Sequence, residues 1–206
     1  TKVTGGLKPK DLCGIPWRVA LALQADGWYL RSDIIWAKPN PIPESVTDRP
    51  TKAHEYVFLL AKSERYFFDA NAIKEKATHA GRVLDYTGEQ KANDADPTRQ
   101  RTLPRGRKIT VGDTRNARSV WSVPSQGYDG AHFATMPPRL AKRCILAGSR
   151  IGTAVLDPFM GSGTTGLAAE ALGRRWLGCE LTEAHGSLIR QRTAQCGLPW
   201  PEEAAK

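Results

Sequence analysis

A short apolar run that ends in an acid, bends through closely spaced glycines and continues into a helix leaves a chain few folds to choose from. Thr153 to Leu156 reads as a buried strand ending at Asp157, Thr164 to Leu172 as an Ala- and Leu-rich helix, and Arg175 to Cys179 as a second strand closed by Glu180. This is one β-α-β unit. Gly161, Gly163 and Gly166 stand at G-x-G-x-x-G spacing, and the acid follows 19 positions after the first of them. A turn without Cβ atoms lets a ligand lie against the main chain, and a strand-terminal carboxylate can accept both hydroxyls of a ribose. The unit is expected to hold a nucleoside.

Dinucleotides and S-adenosylmethionine use related units, and the glycines do not separate them. Chain order helps. A dinucleotide domain opens with this unit and continues through more strands, yet only 40 residues follow Gly166, and the last dozen are rich in Pro, Glu and Ala. The rest of the sheet must come from upstream, which points to an α/β fold in permuted order. Asp157-Pro-Phe-Met-Gly-Ser-Gly-Thr-Thr165 resembles the cofactor motif of the β-class DNA methyltransferases, which methylate the exocyclic amino group of cytosine (N4) or adenine (N6). In that family the cofactor motif comes last. The resemblance implies a Rossmann-like S-adenosylmethionine-dependent methyltransferase sheet, with Asp157, Phe159, Gly161, Gly163, Thr164, Thr165 and Glu180 at the cofactor.

Upstream, Pro16 suits the first turn of a helix whose apolar stripe is Trp17, Ala20, Leu21 and Leu23, with Gly27 as its stop. Trp28 to Trp36 is strand-like, and Lys38-Pro-Asn-Pro-Ile-Pro43 must be an extended loop, because prolines supply no ladder donors. Ile34-Ile-Trp-Ala-Lys-Pro-Asn40 resembles a family sequence at the end of a central strand, which places Lys38 and Asn40 near phosphate or base. As a bare sequence the same pair is equally a solvated Lys and a turn Asn. His54 to Ala61 and Arg65 to Asp69, joined by Lys62-Ser-Glu64, read as an antiparallel hairpin, which the resemblance places at one edge of the sheet. On the resemblance His54 faces an extruded base; as a lone His before a strand it is a packing residue.

From Lys74 to Arg118 the apolar periodicity is lost, glycines and prolines punctuate the chain, and 11 Lys and Arg stand against 6 Asp and Glu. This is expected to be a loop-rich insert. Arg99, Arg101, Arg105, Arg107 and Lys108 are its candidates for phosphate contact, since each neutralised phosphate releases counterions. The resemblance places the target-recognition segment there. A solvated loop would carry the same charge. Val120 to Pro124 returns to the folded body, and a helix follows from Arg139 to Ala147. His132-Phe-Ala-Thr-Met-Pro137 fits a family pattern that lines the methionine end of the cofactor, so the resemblance adds His132, Thr135 and Met136 to the cofactor set. Three segments result: 1–73, the catalytic-side half of the sheet; 74–120, the recognition insert; and 121–206, the cofactor half.

Amino-group methylation needs no covalent enzyme nucleophile. It needs the amino nitrogen held in line with the methyl group and its lone pair turned out of the ring, on a base that has left the stack. In the family a tetrapeptide of Asp, Asn or Ser followed by Pro-Pro and an aromatic residue does this. The one adjacent pair here, Pro137-Pro138, lies between Met136 and Arg139 and does not fit, so no catalytic residue is assigned and the motif is expected upstream of Thr1. The chain also opens without Met on a polar Gly- and Lys-containing segment, as a piece of a longer protein would, its missing part supplied by an N-terminal segment or a second subunit.

Other base chemistries fit less well. No Cys follows Pro, as cytosine-C5 methylation requires, and the H-x-E with P-C-x-x-C of zinc deaminases is absent. The Gly161-Ser-Gly163 frame is wrong for a nucleophile elbow. The four cysteines lack metal-ligand spacing and read as reduced, mostly buried thiols, with no metal expected. Net charge +9 and pI about 9.6 favour an anionic partner, which the resemblance implies is double-stranded DNA. No apolar run of membrane-spanning length occurs, and a cytoplasmic protein is expected. Two other functions remain in view: a non-catalytic nucleic-acid-binding piece that keeps the methyltransferase fold, and an NAD-dependent oxidoreductase, disfavoured by chain order.

Overall fold

A computed structural model describes residues 6–85, 108–126 and 136–194. Its elements, in chain order, are α1 (Ile15–Ala25), β1 (Tyr29–Ala37), β2 (His54–Ala61), β3 (Glu75–Lys76), β4 (Val83–Asp85), β5 (Lys108–Thr110), β6 (Thr114–Arg115), β7 (Val120–Ser122), α2 (Pro138–Gly148), β8 (Ala154–Asp157), α3 (Thr164–Ala171), β9 (Arg175–Gly178) and α4 (Glu183–Ala194). They form two compact units, Thr1–Asp69 with Arg118–Lys206, and Ala70–Ala117. None of the described helices is long and apolar enough to cross a membrane.

In the larger unit, β1 is the middle strand of three. It pairs antiparallel with β2, from Tyr29↔Ala61 to Ala37↔His54, and parallel with β7 through Ile35↔Val120 and Ala37↔Ser122. The β-branched and aromatic run of β1 buries Ile34 and Trp36, and the Trp36 indole donates to the Val123 carbonyl at 2.8 Å. Helix α1 sets Trp17 edge-on against Phe58 and Tyr56, ring centroids 4.9 and 5.5 Å away, so Trp17 is a packing residue. Ala20 is buried as expected. Leu21 is not; it lies on the flank of the helix turned to solvent.

The expected hairpin is built differently. An antiparallel pair does lie at one edge, but it is β2 against β1, and Arg65 to Asp69 forms no strand. That segment is drawn elsewhere. The Tyr66 hydroxyl accepts from Arg31, Arg150 covers the Phe67 ring at 4.4 Å, and the Asp69 N–H donates to the Ala147 carbonyl at the end of α2.

Strands β8 and β9 pair in parallel, Ala154↔Arg175 through Asp157↔Gly178. Val155 and Trp176 pack on a cluster made by Ala141 and Ile145 of α2 with Ala168 and Ala169 of α3. The other face is uncovered: the register partners Leu156 and Leu177 are 62 % and 57 % exposed. The strand expected to be buried is therefore buried on one face only, because nothing among the described residues covers the second face. Arg174, buried at the entry to β9, gives two bonds to Ser149 and one to the Leu172 carbonyl, which joins the ends of α2 and α3.

The smaller unit is an interrupted antiparallel ribbon. The β3/β6 and β4/β5 ladders are linked by bonds of 2.8 Å from Ala77 to Asp113 and between the 81–82 and 111 backbones. Sequence periodicity gave no hint of it, because strands of two and three residues are too short to show a period; beside the Leu84–Ile109 pair, opposed charges flank the ladders, Glu75 opposite Arg115 and Asp85 opposite Lys108, at 3.5 and 3.1 Å.

Candidate cofactor site

The glycine turn begins where β8 ends. Asp157 Oδ1 accepts the Phe159 N–H at 3.0 Å, which bends the chain at Pro158. Met160 donates to the Cys179 carbonyl and accepts from Gly163 N–H, closing a tight turn with Gly161 at φ +53°. Gly163, at φ +82°, then starts α3 from the left-handed region. Farther along, Gly166 and Gly178 serve close packing. A Cβ on Gly166 would stand 2.6 Å from Met160 Cε, and one on Gly178 would stand 2.8 Å from Met160 Cγ. Buried Met160 is thus clasped between helix and strand, under Trp176.

Glu180 closes the site. Its Oε2 accepts the Gly161 N–H at 2.8 Å; its Oε1 accepts the Thr182 N–H at 2.9 Å and lies 3.2 Å from His185 Nδ1. The Thr182 N–H, the Gly161 N–H and the His185 ring together hold the carboxyl at about pKa 2. It is ionised at every physiological pH, and only 17 % of the side chain is exposed. A carboxylate offers about four acceptor positions. Among the described residues three are taken, two on Oε1 and one on Oε2.

Phe159, in the turn, is 88 % exposed and Leu181, next to Glu180, fully so, so both present apolar surface among the described residues. Thr165 is half-exposed, whereas Thr164 is buried with its hydroxyl 3.3 Å from that of Ser162. Met136 packs against the α2–α3 cluster. His132 and Thr135 lie outside the described residues. What sequence reading missed is α4: its Arg192 donates to the Ser162 carbonyl, and its Ile189 packs on Gly163. The one signal available was a Glu-x-x-x-x-His-x-x-x-Ile-x-x-Arg spacing beginning at Glu180.

The residues expected at nucleic acid are placed as follows. Lys38 pairs with Glu55 and lies over the Trp36 ring. It also lines a cavity of about 480 Å³ with His54, Glu55, Tyr56, Glu44 and Lys52. Asn40 spends both ends of its amide on the Ser125 backbone, at 2.8 and 3.1 Å, tying the loop after β1 to the loop after β7. Lys108 is paired with Asp85 on the ribbon, and Arg99, Arg101, Arg105 and Arg107 lie outside the described residues. The thiols differ from expectation. Cys13 and Cys179 are exposed, Cys144 is the inward-facing one, and Cys196 is outside the described residues. Cys13 precedes α1, and Cys179 continues the uncovered side of β9, so neither meets a covering layer.

The chain is 48 % identical to the type II methyltransferase M.SmaI of Serratia marcescens and 47 % identical to M.Cfr9I of Citrobacter freundii, each over 187 residues and 91 % of this chain. It covers 54 % and 52 % of those two proteins, so it spans about half the length of the curated relatives it matches. Among solved structures, the cytosine-N4-specific PvuII DNA methyltransferase superposes with a TM-score of 0.61 at 18 % identity, over 95 % of this chain and 61 % of that one. The M1.HpyAVI–SAM complex gives 0.57 at 21 %, over 89 % and 71 %. Both show the fold. A family model of N6/N4 type, described as DNA methylase, matches residues 4–191, and this chain belongs to that DNA methylase family.

Proposed function

We propose that the protein carrying this chain transfers a methyl group from S-adenosylmethionine to an exocyclic amino group, N4 of cytosine or N6 of adenine, in double-stranded DNA. The observation that carries the reading is the Gly161–Glu180 arrangement: a bent glycine turn tied to an ionised strand-end carboxylate, with exposed Phe159 in the turn and exposed Leu181 next to Glu180. Those residues fit an adenosine. Glu180 Oε2 would take a ribose hydroxyl, and Phe159 and Leu181 would cover the flat faces of the base. When bound, the cofactor supplies a methyl group on a positively charged sulfur, open to direct displacement by an amino nitrogen.

The chain's own residues bind and orient. Asp157 fixes the bend, Gly161 lets the ligand approach the backbone, Gly163 makes the left-handed start of α3 against Ile189, and half-exposed Thr165 offers a hydroxyl at the start of α3. Lys38, Lys108 and the four arginines between 99 and 107 are assigned to DNA, with 74–120 as the recognition insert and 121–206 as the cofactor half. The tetrapeptide that would hold the target amino group is not among the 206 residues. That observation, with the half-length match, supports a second reading: a non-catalytic nucleic-acid-binding piece that keeps the methyltransferase fold.

Calorimetry with S-adenosylhomocysteine and with NAD tests the assignment, together with transfer of labelled methyl to DNA by the full-length protein. Binding of S-adenosylhomocysteine and label in DNA are expected. A preference for NAD would overturn the cofactor, and binding without transfer would leave the second reading.

A further inference from the structure

His185, Ile189 and Arg192 of α4 stand at i, i+4 and i+7, a spacing that lines them up on one face of the helix. Each reaches a different part of the same turn. The His185 ring meets Glu180, buried Ile189 fills the space where a Cβ on Gly163 would stand 3.3 Å from it, and Arg192 takes the Ser162 carbonyl. The helix thus grips the turn at three points, two of them polar.

The two polar contacts govern the two features a ligand would meet. Among the described residues Glu180 Oε1 meets both the Thr182 N–H and His185, whereas Oε2 meets the Gly161 N–H alone. To donate to an ionised carboxylate through Nδ1, the His185 ring carries a proton there. At the other end, the Gly163 N–H donates to the Met160 carbonyl, and a charge-assisted bond from the Arg192 guanidinium to the Ser162 carbonyl holds the same peptide from its opposite end, beside the positive-φ Gly163.

We propose that this stripe is part of the cofactor site: His185 and Arg192 are positioning residues, the first aiming the Glu180 carboxylate and the second orienting the Ser162–Gly163 peptide. The inference rests on reading the turn as the S-adenosylmethionine site. Neither residue needs to touch the ligand.

The test uses the full-length protein with His185→Phe, His185→Asn, Arg192→Met and Arg192→Lys. The Phe variant keeps a ring without a donor, and the Asn variant keeps a donor near the Nδ1 position. S-adenosylhomocysteine affinity is measured by calorimetry, with melting temperature and KM for DNA alongside. His185→Phe and Arg192→Met are expected to bind about tenfold more weakly, the loss of one charge-assisted hydrogen bond. His185→Asn and Arg192→Lys should recover most of that, with melting and the KM for DNA unchanged. Unaltered affinity in folded Phe and Met variants would overturn the proposal. So would parallel losses of affinity, melting temperature and DNA binding, which mark a merely structural contact. If the unmutated protein fails to bind S-adenosylhomocysteine, the cofactor reading falls and this inference with it, whereas binding there with unaffected variants removes α4 alone.

Discussion

Glu180 Oε2 accepts the backbone N–H of Gly161 at 2.8 Å, across 19 residues of chain, and so fastens the end of β9 to the bend that follows β8. The bond organises the site, and the Thr182 N–H, ahead of the Gly161 N–H and the His185 ring, holds the carboxyl well below its ordinary range. Because the carboxyl sits near pKa 2 when folded, against 4.5 ordinarily, the contribution is fully present above about pH 4.5 and is lost as pH falls toward 2. Glu180→Gln should remove that part of the acid-unfolding profile and weaken S-adenosylhomocysteine binding roughly tenfold or more. Acid titration followed by circular dichroism, with calorimetry at pH 7, checks both.

Met160 has no room to give on either side, so added methyl groups at its two neighbours should be costly. Gly178→Ala meets Met160 at Cγ, near the backbone, while Gly166→Ala meets the mobile Cε end as well as Trp176. Both are expected to destabilise by about 1–3 kcal/mol, Gly178→Ala the more. Gly166→Ala combined with Met160→Ala should be less destabilised than the sum of the two, measured by urea unfolding.

Asn40 faces a choice between stability and DNA. Its amide is spent on Ser125, so Asn40→Ala should lower stability by about 1 kcal/mol and leave the salt dependence of DNA binding unchanged. A changed slope would mean direct contact with the nucleic acid.

Neutralising Arg105 and Arg107 to Gln should do the reverse. Each phosphate contact removed is expected to reduce the slope of log affinity against log salt by about one. A slope identical to the parent's would make this part of the insert a bystander. Filter binding across a salt series reads it directly.

Burial pushes the Cys144 thiol up to about 11, so at pH 8 almost none of it is thiolate. Iodoacetamide at that pH should label Cys13 and Cys179 and spare Cys144, as read by peptide mass spectrometry.

The β-α-β unit was legible because backbone geometry dictates its glycines: Gly161 and Gly163 stand at positive φ, and Gly166 lies where a helix crosses a strand. The β1 and β2 strands were legible from their β-branched and aromatic runs. The partner of β2 was not, since Arg31, Ala147 and Arg150, distant in sequence, decide where residues 65–69 go. The ribbon escaped because its strands, two and three residues long, are too short to show a period. Helix α4 escaped because its hydrophobic side is a single Ile between a His and an Arg, a pattern that says helix surface until the turn beneath it is seen.

Strand β8 has a neighbour on one side only among the described residues. Its other border carries main-chain donors and acceptors, and Leu156 stands bare on its uncovered face. Water can satisfy such a border when the protein is dilute, and any extended peptide can do so when it is crowded. How this chain behaves in a concentrated solution therefore depends on which of the two arrives first.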